Sequence, residues 1–118
     1  NKLEHSLRNA LAEDGERVHV FTHLSHVYGQ GSSIYTSYVF RPGSSYASAM
    51  ERWKKLKHAA CQTIVNNGGT ISHQHGVGRD HAPYLAVEKG ELGIAALQAL
   101  STHFDPDQRL APGVLLVK

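Results

Sequence analysis

A long amphipathic stripe in the middle of the chain constrains the fold more than any other sequence feature. After Pro42-Gly43-Ser44-Ser45, which breaks any preceding strand and offers an N-cap, large apolar residues recur at spacings of three and four. They are Tyr46, Met50, Trp53, Leu56, Ala60 and Ile64. Asn66-Asn67-Gly68-Gly69 follows with glycines of the kind that terminate helices. The pattern predicts a long helix that ends near Asn66 and buries one side.

The chain before this helix predicts one shorter helix and a hairpin. Leu3, Leu7 and Leu11 form a stripe within residues 2–13. Residues 16–28 and 33–41 then alternate in the way that half-buried strands do, with Val18, Val20 and Leu24 on one face of the first strand. The turn between the two strands is predicted at Gly29-Gln30-Gly31.

The chain after the long helix predicts one more strand and two helices. The strand is expected near Thr70, and the helices over residues 81–89 and 91–103, before Asp105-Pro106. The expected inner side of the last helix consists of Leu92, Ala96, Ala99, Leu100 and His103. The whole order predicts an α+β fold, with helices packed on one face of a small, mainly antiparallel sheet.

The segment Thr70–Asp80, called here the histidine segment, concentrates residues that can do chemistry. If it is a strand that breaks into a loop, His73 and His75 project together from one face. Gly76 and Gly78 behind them allow close approach of a ligand to the backbone, or a positive φ. The segment predicts a functional site, with a merely solvated polar loop as the alternative.

Composition excludes several functional classes. With 118 residues the chain has the size of one domain, and a net charge of +2 is too small to predict binding to nucleic acid. No apolar run is long enough for a transmembrane helix. The nine histidines are the one unusual feature, and histidine is both a metal ligand and a proton carrier near neutral pH.

Cellular location is predicted from cysteine usage. Cys61 is the single cysteine, so it cannot form an internal disulfide, and its helical context suggests a small core residue. No secretory signal is recognisable, which predicts a cytoplasmic protein. The chain starts without Met and inside a helical pattern, so we expect it to be a piece of a longer polypeptide.

The histidines suggest two kinds of chemistry. His73 and His75, together with His23 or His26, contain enough imidazoles for a zinc site, but no carboxylate lies beside the pair until Asp80. Acid–base catalysis fits the segment better, because a histidine can transfer a proton at physiological pH.

Two residue types elsewhere complement such a site. Tyr35, on the second strand, can polarise or deprotonate a substrate oxygen, although a half-buried sheet tyrosine is the commoner case. Arg79 or Arg41 can hold an anionic group.

Several motifs in combination resemble a known family. They are Ser72–Gly78, Gly68-Gly69, Phe104-Asp105-Pro106, Leu110–Gly113 and the hairpin Ser25–Tyr35. Together they resemble the C-terminal domain of FAD-linked oxidases of the vanillyl-alcohol-oxidase type, over nearly the whole chain. Within that superfamily the chain is most similar to the alkyldihydroxyacetonephosphate synthase branch.

The resemblance implies catalytic roles residue by residue. In the synthase branch three histidines precede Gly-Val-Gly; His73 and His75 match the first and third, and Gln74 replaces the middle one. Tyr35 matches a strand tyrosine that acts at the substrate. His75 is therefore expected to transfer a proton, with His73 as its partner and Tyr35 as the substrate-polarising group.

The remaining expected site residues also follow from the resemblance. Gln74, Gly76 and Gly78 would lie against the cofactor, FAD, and Arg79 and Tyr28 would bind the substrate. In the related 2-hydroxyacid dehydrogenases, some members hold a metal at positions that correspond here to Tyr28, Tyr35 and Gln74. None of these three is a good zinc ligand, so no metal site is predicted.

The family organisation implies what the whole enzyme contains. An FAD-binding domain in the same parent chain and a small-molecule substrate are the expected partners, and residues 1–118 would be a fragment of a ferredoxin-like cap domain over the flavin ring. Without that FAD-binding domain the fragment is expected to be inactive, and its exposed face favours a homo-oligomer. The alternatives are a domain of an FAD-dependent glycolate or D-lactate dehydrogenase, and a stand-alone α+β module that binds a metal or a protein.

Overall fold

The chain forms three helices and a two-stranded antiparallel sheet in a computed structural model that describes residues 1–117. In order, the elements are α1 (Lys2–Ala10), β1 (Val18–Tyr28), β2 (Gly31–Phe40), α2 (Tyr46–Asn66) and α3 (Gly78–Phe104). The predicted α+β class is confirmed, but the sheet lacks the predicted third strand within the described residues. The chain divides into two compact units, Asn1–Thr63 and a second one that starts at Ile64.

The hairpin of the first unit forms where the alternating pattern predicts it. β1 and β2 pair with Val18 opposite Phe40 and Val20 opposite Tyr38, so these four side chains share one face. Val18 and Val20 are buried, and Tyr38 and Phe40 pack against them. Towards the turn both faces are exposed, because the helices of this unit cover only the base of the hairpin.

The core of the first unit joins both of its helices to the base of the hairpin. Leu7 and Leu11 from the α1 region, Val18 and Val20 from β1, and Leu56 from α2 form one buried cluster. Leu56 is 0% exposed, as the central position of the predicted stripe requires. The helices of this unit therefore pack on one face of the sheet, as predicted.

α1 is shorter than the predicted helix but begins with a strong cap. The Asn1 side-chain oxygen accepts hydrogen bonds from the backbone N–H groups of Leu3, at 2.9 Å, and Glu4, at 3.4 Å. The helix ends at Ala10, and turns lead to Gly15, whose φ of 68° lets the chain reverse into β1.

In the second unit two glycines end α2. The Gly69 N–H donates to the Ile64 carbonyl at 2.9 Å, and Gly68, with φ of 72°, donates to the Val65 carbonyl at 3.1 Å. A side chain at Gly69 would place its Cβ 2.9 Å from Ile64 Cγ2 and 3.2 Å from the Ile64 carbonyl oxygen. Position 69 therefore requires glycine, because the end of α2 leaves no room for a Cβ there.

The two predicted C-terminal helices are one helical element with an interruption at the predicted place. Gly90, with φ of 69° and ψ of 171°, is non-helical inside α3 and separates its two halves. The predicted inner side of the second half is wrong: Leu92 is 85% exposed, and Leu100 is exposed as well. Apolar residues occur around most of this helix, so spacing alone cannot select the side that packs.

Replacing Leu56 with alanine should strongly destabilise the protein. The change removes the central fully buried side chain of the first core and leaves a cavity, so we expect a loss of about 2–5 kcal/mol in the free energy of unfolding. Denaturant titration followed by circular dichroism measures this loss. Leu92→Ala, the same change at an exposed site, should cost less than about 0.5 kcal/mol. Equal losses for the two variants would contradict the core described here.

Gly69→Ala should also destabilise the protein, by about 1–3 kcal/mol, because its Cβ collides with Ile64 and the end of α2 must shift. Gly29→Ala is the matched control, since nothing lies within 4 Å of a Cβ at that turn position. Thermal unfolding midpoints of both variants test the difference. A Gly69→Ala protein that melts like the Gly29→Ala protein would show that the end of α2 accommodates a side chain.

Candidate functional site

The histidine segment is a loop, so the prediction of a strand at Thr70 is wrong. It runs from the end of α2 into the first turn of α3, and Gln74, between the two histidines, has a φ of 55°. The backbone therefore turns where a strand would stay extended. His73 is half-buried and His75 is exposed, so the two imidazoles do not share a strand face.

Left-handed backbone conformations at alternate positions shape this loop. Gln74, Gly76 and Gly78 have φ values of 55°, 76° and 59°. Nothing lies within 4 Å of a Cβ built on either glycine, so conformation and not crowding requires glycine there. The Ser72 hydroxyl donates to the Gly76 carbonyl and closes the turn around Gln74 and His75.

The start of the histidine segment is held by Glu88, which the sequence analysis did not single out. One carboxylate oxygen of Glu88 accepts from the Ile71 N–H at 2.7 Å, and the other accepts from the Thr70 hydroxyl at 3.0 Å. Burial raises the pKa of the Glu88 carboxyl, but the hydrogen bonds from Ile71, Lys89 and Thr70 outweigh this effect and lower the pKa below its ordinary value. The carboxylate is therefore ionised at neutral pH.

The C-terminal tail lies against the other end of the segment. The Arg79 guanidinium donates to the Pro112 carbonyl at 3.4 Å, and the Leu115 N–H donates to the Gly78 carbonyl at 3.3 Å. Arg79 is exposed and its side chain already contacts the tail. Its expected role in substrate binding stays a prediction.

The second unit also contains a cavity of about 400 Å³ between the end of α3 and the tail. Its lining is mainly apolar and includes Leu97, Phe104, Leu110 and Val114. None of the predicted site residues lines this cavity. The histidine segment therefore does not form a wall of this cavity.

The two predicted tyrosines lie on the outer part of the hairpin in the first unit. Tyr35 is 49% exposed, and its ring stacks on His23 of the neighbouring strand, with 5.2 Å between centroids. Tyr28 lies nearly parallel to His26, with centroids 6.1 Å apart. Each tyrosine therefore has one ring face against an imidazole and remains about half exposed.

The part of the chain that the structure describes contains no preformed set of metal ligands. No group of three His, Cys, Asp or Glu side chains lies close enough within residues 1–117 to hold an ion. The histidine segment exposes the His75 imidazole and the Gln74 amide, and no atom lies close to a Cβ built at Gly76 or Gly78. This set can exchange protons and hydrogen-bond a flat polar group.

Comparison with curated proteins finds relatives that include synthases and an oxidase subunit. Alkyldihydroxyacetonephosphate synthase of Trypanosoma brucei brucei is 26% identical over 97% of this chain, and that of Caenorhabditis elegans is 30% identical over 79%. Glycolate oxidase subunit GlcD of Bacillus subtilis is 39% identical over 58% of the chain. The chain spans only 18%, 15% and 15% of the lengths of these three proteins.

A family model of the C-terminal domain of FAD-linked oxidases matches residues 2–115. The match includes both compact units and every residue predicted for the site. The match confirms the resemblance drawn from the glycine and histidine motifs. The cofactor of this family is FAD. The chain belongs to the family of C-terminal domains of FAD-linked oxidases.

Proposed function

We propose that this chain completes the substrate pocket over the flavin of an FAD-dependent enzyme, with the FAD-binding domain in the same polypeptide. The observation that carries the proposal is the family match over residues 2–115. It is supported by relatives that are several times longer than this chain and are named as a synthase and an oxidase subunit. The isolated chain is expected to be catalytically inactive.

The residues of the histidine segment fit a flavin ring. A flavin is flat, with polar groups along its edge, and the exposed Gln74 amide and His75 imidazole can hydrogen-bond such groups. At Gly76 and Gly78 no side chain blocks approach to the backbone. FAD supplies the redox chemistry, and the protein residues orient the substrate and move protons.

His75 is the residue best suited to transfer a proton. Its side chain is exposed, as contact with a substrate requires, and imidazole exchanges protons near neutral pH. His73, half-buried two residues earlier, is assigned as its partner. Tyr35 is assigned to polarise a substrate oxygen, and Arg79 and Tyr28 to bind the substrate.

The substrate class that we favour is an acyl-dihydroxyacetone phosphate. The alignment with an alkyldihydroxyacetonephosphate synthase extends over 97% of the chain. The resemblance to that branch also matches His73 and His75 to the first and third histidines of its run. A 2-hydroxy acid is the second candidate. It is favoured by the higher identity, 39%, to a glycolate oxidase subunit over a shorter stretch of the chain.

Further partners are proposed from the surface. Exposed apolar side chains on the second half of α3, among them Leu92, Leu100 and Phe104, would suit a homo-oligomer contact. No helix in the described part of the chain has both the length and the apolar character needed to cross a membrane. We propose a cytoplasmic location, based on the single buried cysteine.

The full-length protein that contains this chain should carry a flavin absorbance spectrum when purified from cells. Under anaerobic conditions we expect the spectrum to change on addition of an acyl-dihydroxyacetone phosphate and to be unaffected by glycolate or D-lactate. Bleaching by a 2-hydroxy acid would assign the chain to a dehydrogenase instead. A full-length protein without flavin would overturn both assignments.

His75→Ala in the full-length protein should lower turnover of the identified substrate by about 10²–10⁴-fold, because it removes the proton-transfer group. His103→Ala, at an exposed histidine near the end of α3, is the matched control and should leave turnover unchanged. Steady-state kinetics at equal flavin content measures both. Unchanged turnover in His75→Ala would remove His75 from the mechanism.

A further inference from the structure

Glu88 makes a set of contacts that its sequence position does not explain. It lies on α3, 17 residues beyond the backbone amide that it accepts from, and only 17% of its side chain is exposed. Its two oxygens bond two consecutive residues, Thr70 and Ile71, at the point where the histidine segment starts. The carboxylate thereby ties the beginning of the segment to the middle of α3.

These contacts determine where the segment starts in space. A hydrogen bond from an N–H to an ionised carboxylate is among the stronger ones in proteins, and the 2.7 Å distance to the Ile71 amide is at the short end of the range. The Ile71 side chain is only 6% exposed, so backbone and side chain are both anchored at this residue. His73 and His75 follow directly after the anchor.

The ion pair with Lys89 does not account for this arrangement. Lys89 Nζ lies 2.8 Å from a Glu88 oxygen, but its side chain is half exposed, and pairs of that kind contribute little. Removing a carboxylate from water is unfavourable unless hydrogen bonds replace those to water. For Glu88 the Ile71 amide and the Thr70 hydroxyl donate such bonds. Of the three groups that hydrogen-bond the Glu88 carboxylate, two, Thr70 and Ile71, therefore belong to the histidine segment.

We propose that Glu88 is a positioning residue, which holds the start of the histidine segment so that His73 and His75 reach the reacting groups in the correct place. This inference rests on the proposed function, because it takes these histidines as the proton-transferring pair. Glu88 itself touches neither substrate nor cofactor in this role.

Kinetics of the full-length flavoprotein test the proposal through two substitutions of Glu88. Glu88→Ala should lower kcat about 10- to 100-fold at unchanged flavin content, with a much smaller change in KM, since small misplacements of catalytic groups have effects of that size. Glu88→Gln keeps an oxygen that can accept from the Ile71 N–H and should restore most of kcat. Glu91→Gln, at an exposed glutamate of the same helix, should match wild type.

Hydrogen–deuterium exchange of the same proteins gives a readout that does not depend on activity. In Glu88→Ala, exchange should rise in peptides covering residues 70–77 and stay unchanged in α1 and the hairpin. Glu91→Gln should leave exchange unchanged throughout. Unchanged exchange over residues 70–77 in Glu88→Ala would show that the carboxylate does not hold the segment, and would overturn the proposal.

Three further outcomes separate this proposal from others. Faster exchange over residues 70–77 with unchanged kcat would show that the position of the segment does not matter for catalysis, which overturns the positioning role and leaves the proposed function intact. Equal losses of kcat in Glu88→Ala and Glu88→Gln, with equal falls in the thermal unfolding midpoint, would show that Glu88 only stabilises the fold, and would overturn the positioning role. If the full-length protein binds no flavin, the proposed function fails, and the exchange data still decide whether Glu88 holds the loop.

Discussion

The first unit depends on the burial of Leu56, which brings α2 into the same cluster as the leucines of the α1 region and the valines of β1. Removing this apolar surface from water is the main force available to hold two helices on a hairpin that has only two strands. The cluster covers the base of the hairpin and leaves its outer part exposed. Tyr28 and Tyr35 lie on that outer part and are about half exposed.

In the second unit, polar and conformational constraints shape the histidine segment. Gly68 and Gly69 end α2 by bonding its last turn, and residues with positive φ shape the loop around His75. The Glu88 carboxylate then ties the start of this loop to α3. Such an arrangement suits a site, because a loop built from backbone constraints can expose polar side chains while its ends stay anchored.

These features are consistent with a domain that contributes residues to a pocket and does not enclose one alone. The histidine segment is open, and the apolar cavity near the tail contains none of the residues assigned to catalysis. Under the proposed function, the flavin and its binding domain would supply the rest of the pocket, which explains why the histidine segment is open. The exposed apolar side chains of the hairpin and of α3 agree with surfaces that take part in larger contacts.

The α+β class, the hairpin, α2 with its glycine end and the break at Gly90 are predictable from the residues alone, because local periodicity and glycine chemistry specify these features. The motif around His73 and His75, in combination with the glycine, hairpin and C-terminal motifs, also identified the family. The conformation of the histidine segment depends instead on tertiary contacts. It is a loop because no neighbouring strand pairs with it within the described residues and Gln74 turns the backbone. Tertiary contacts also determine which side of α3 packs. They include those of Glu88, whose partners Thr70 and Ile71 lie 18 and 17 residues away and leave no local signal. Contacts of that range depend on how elements meet in space, and no sequence period encodes them.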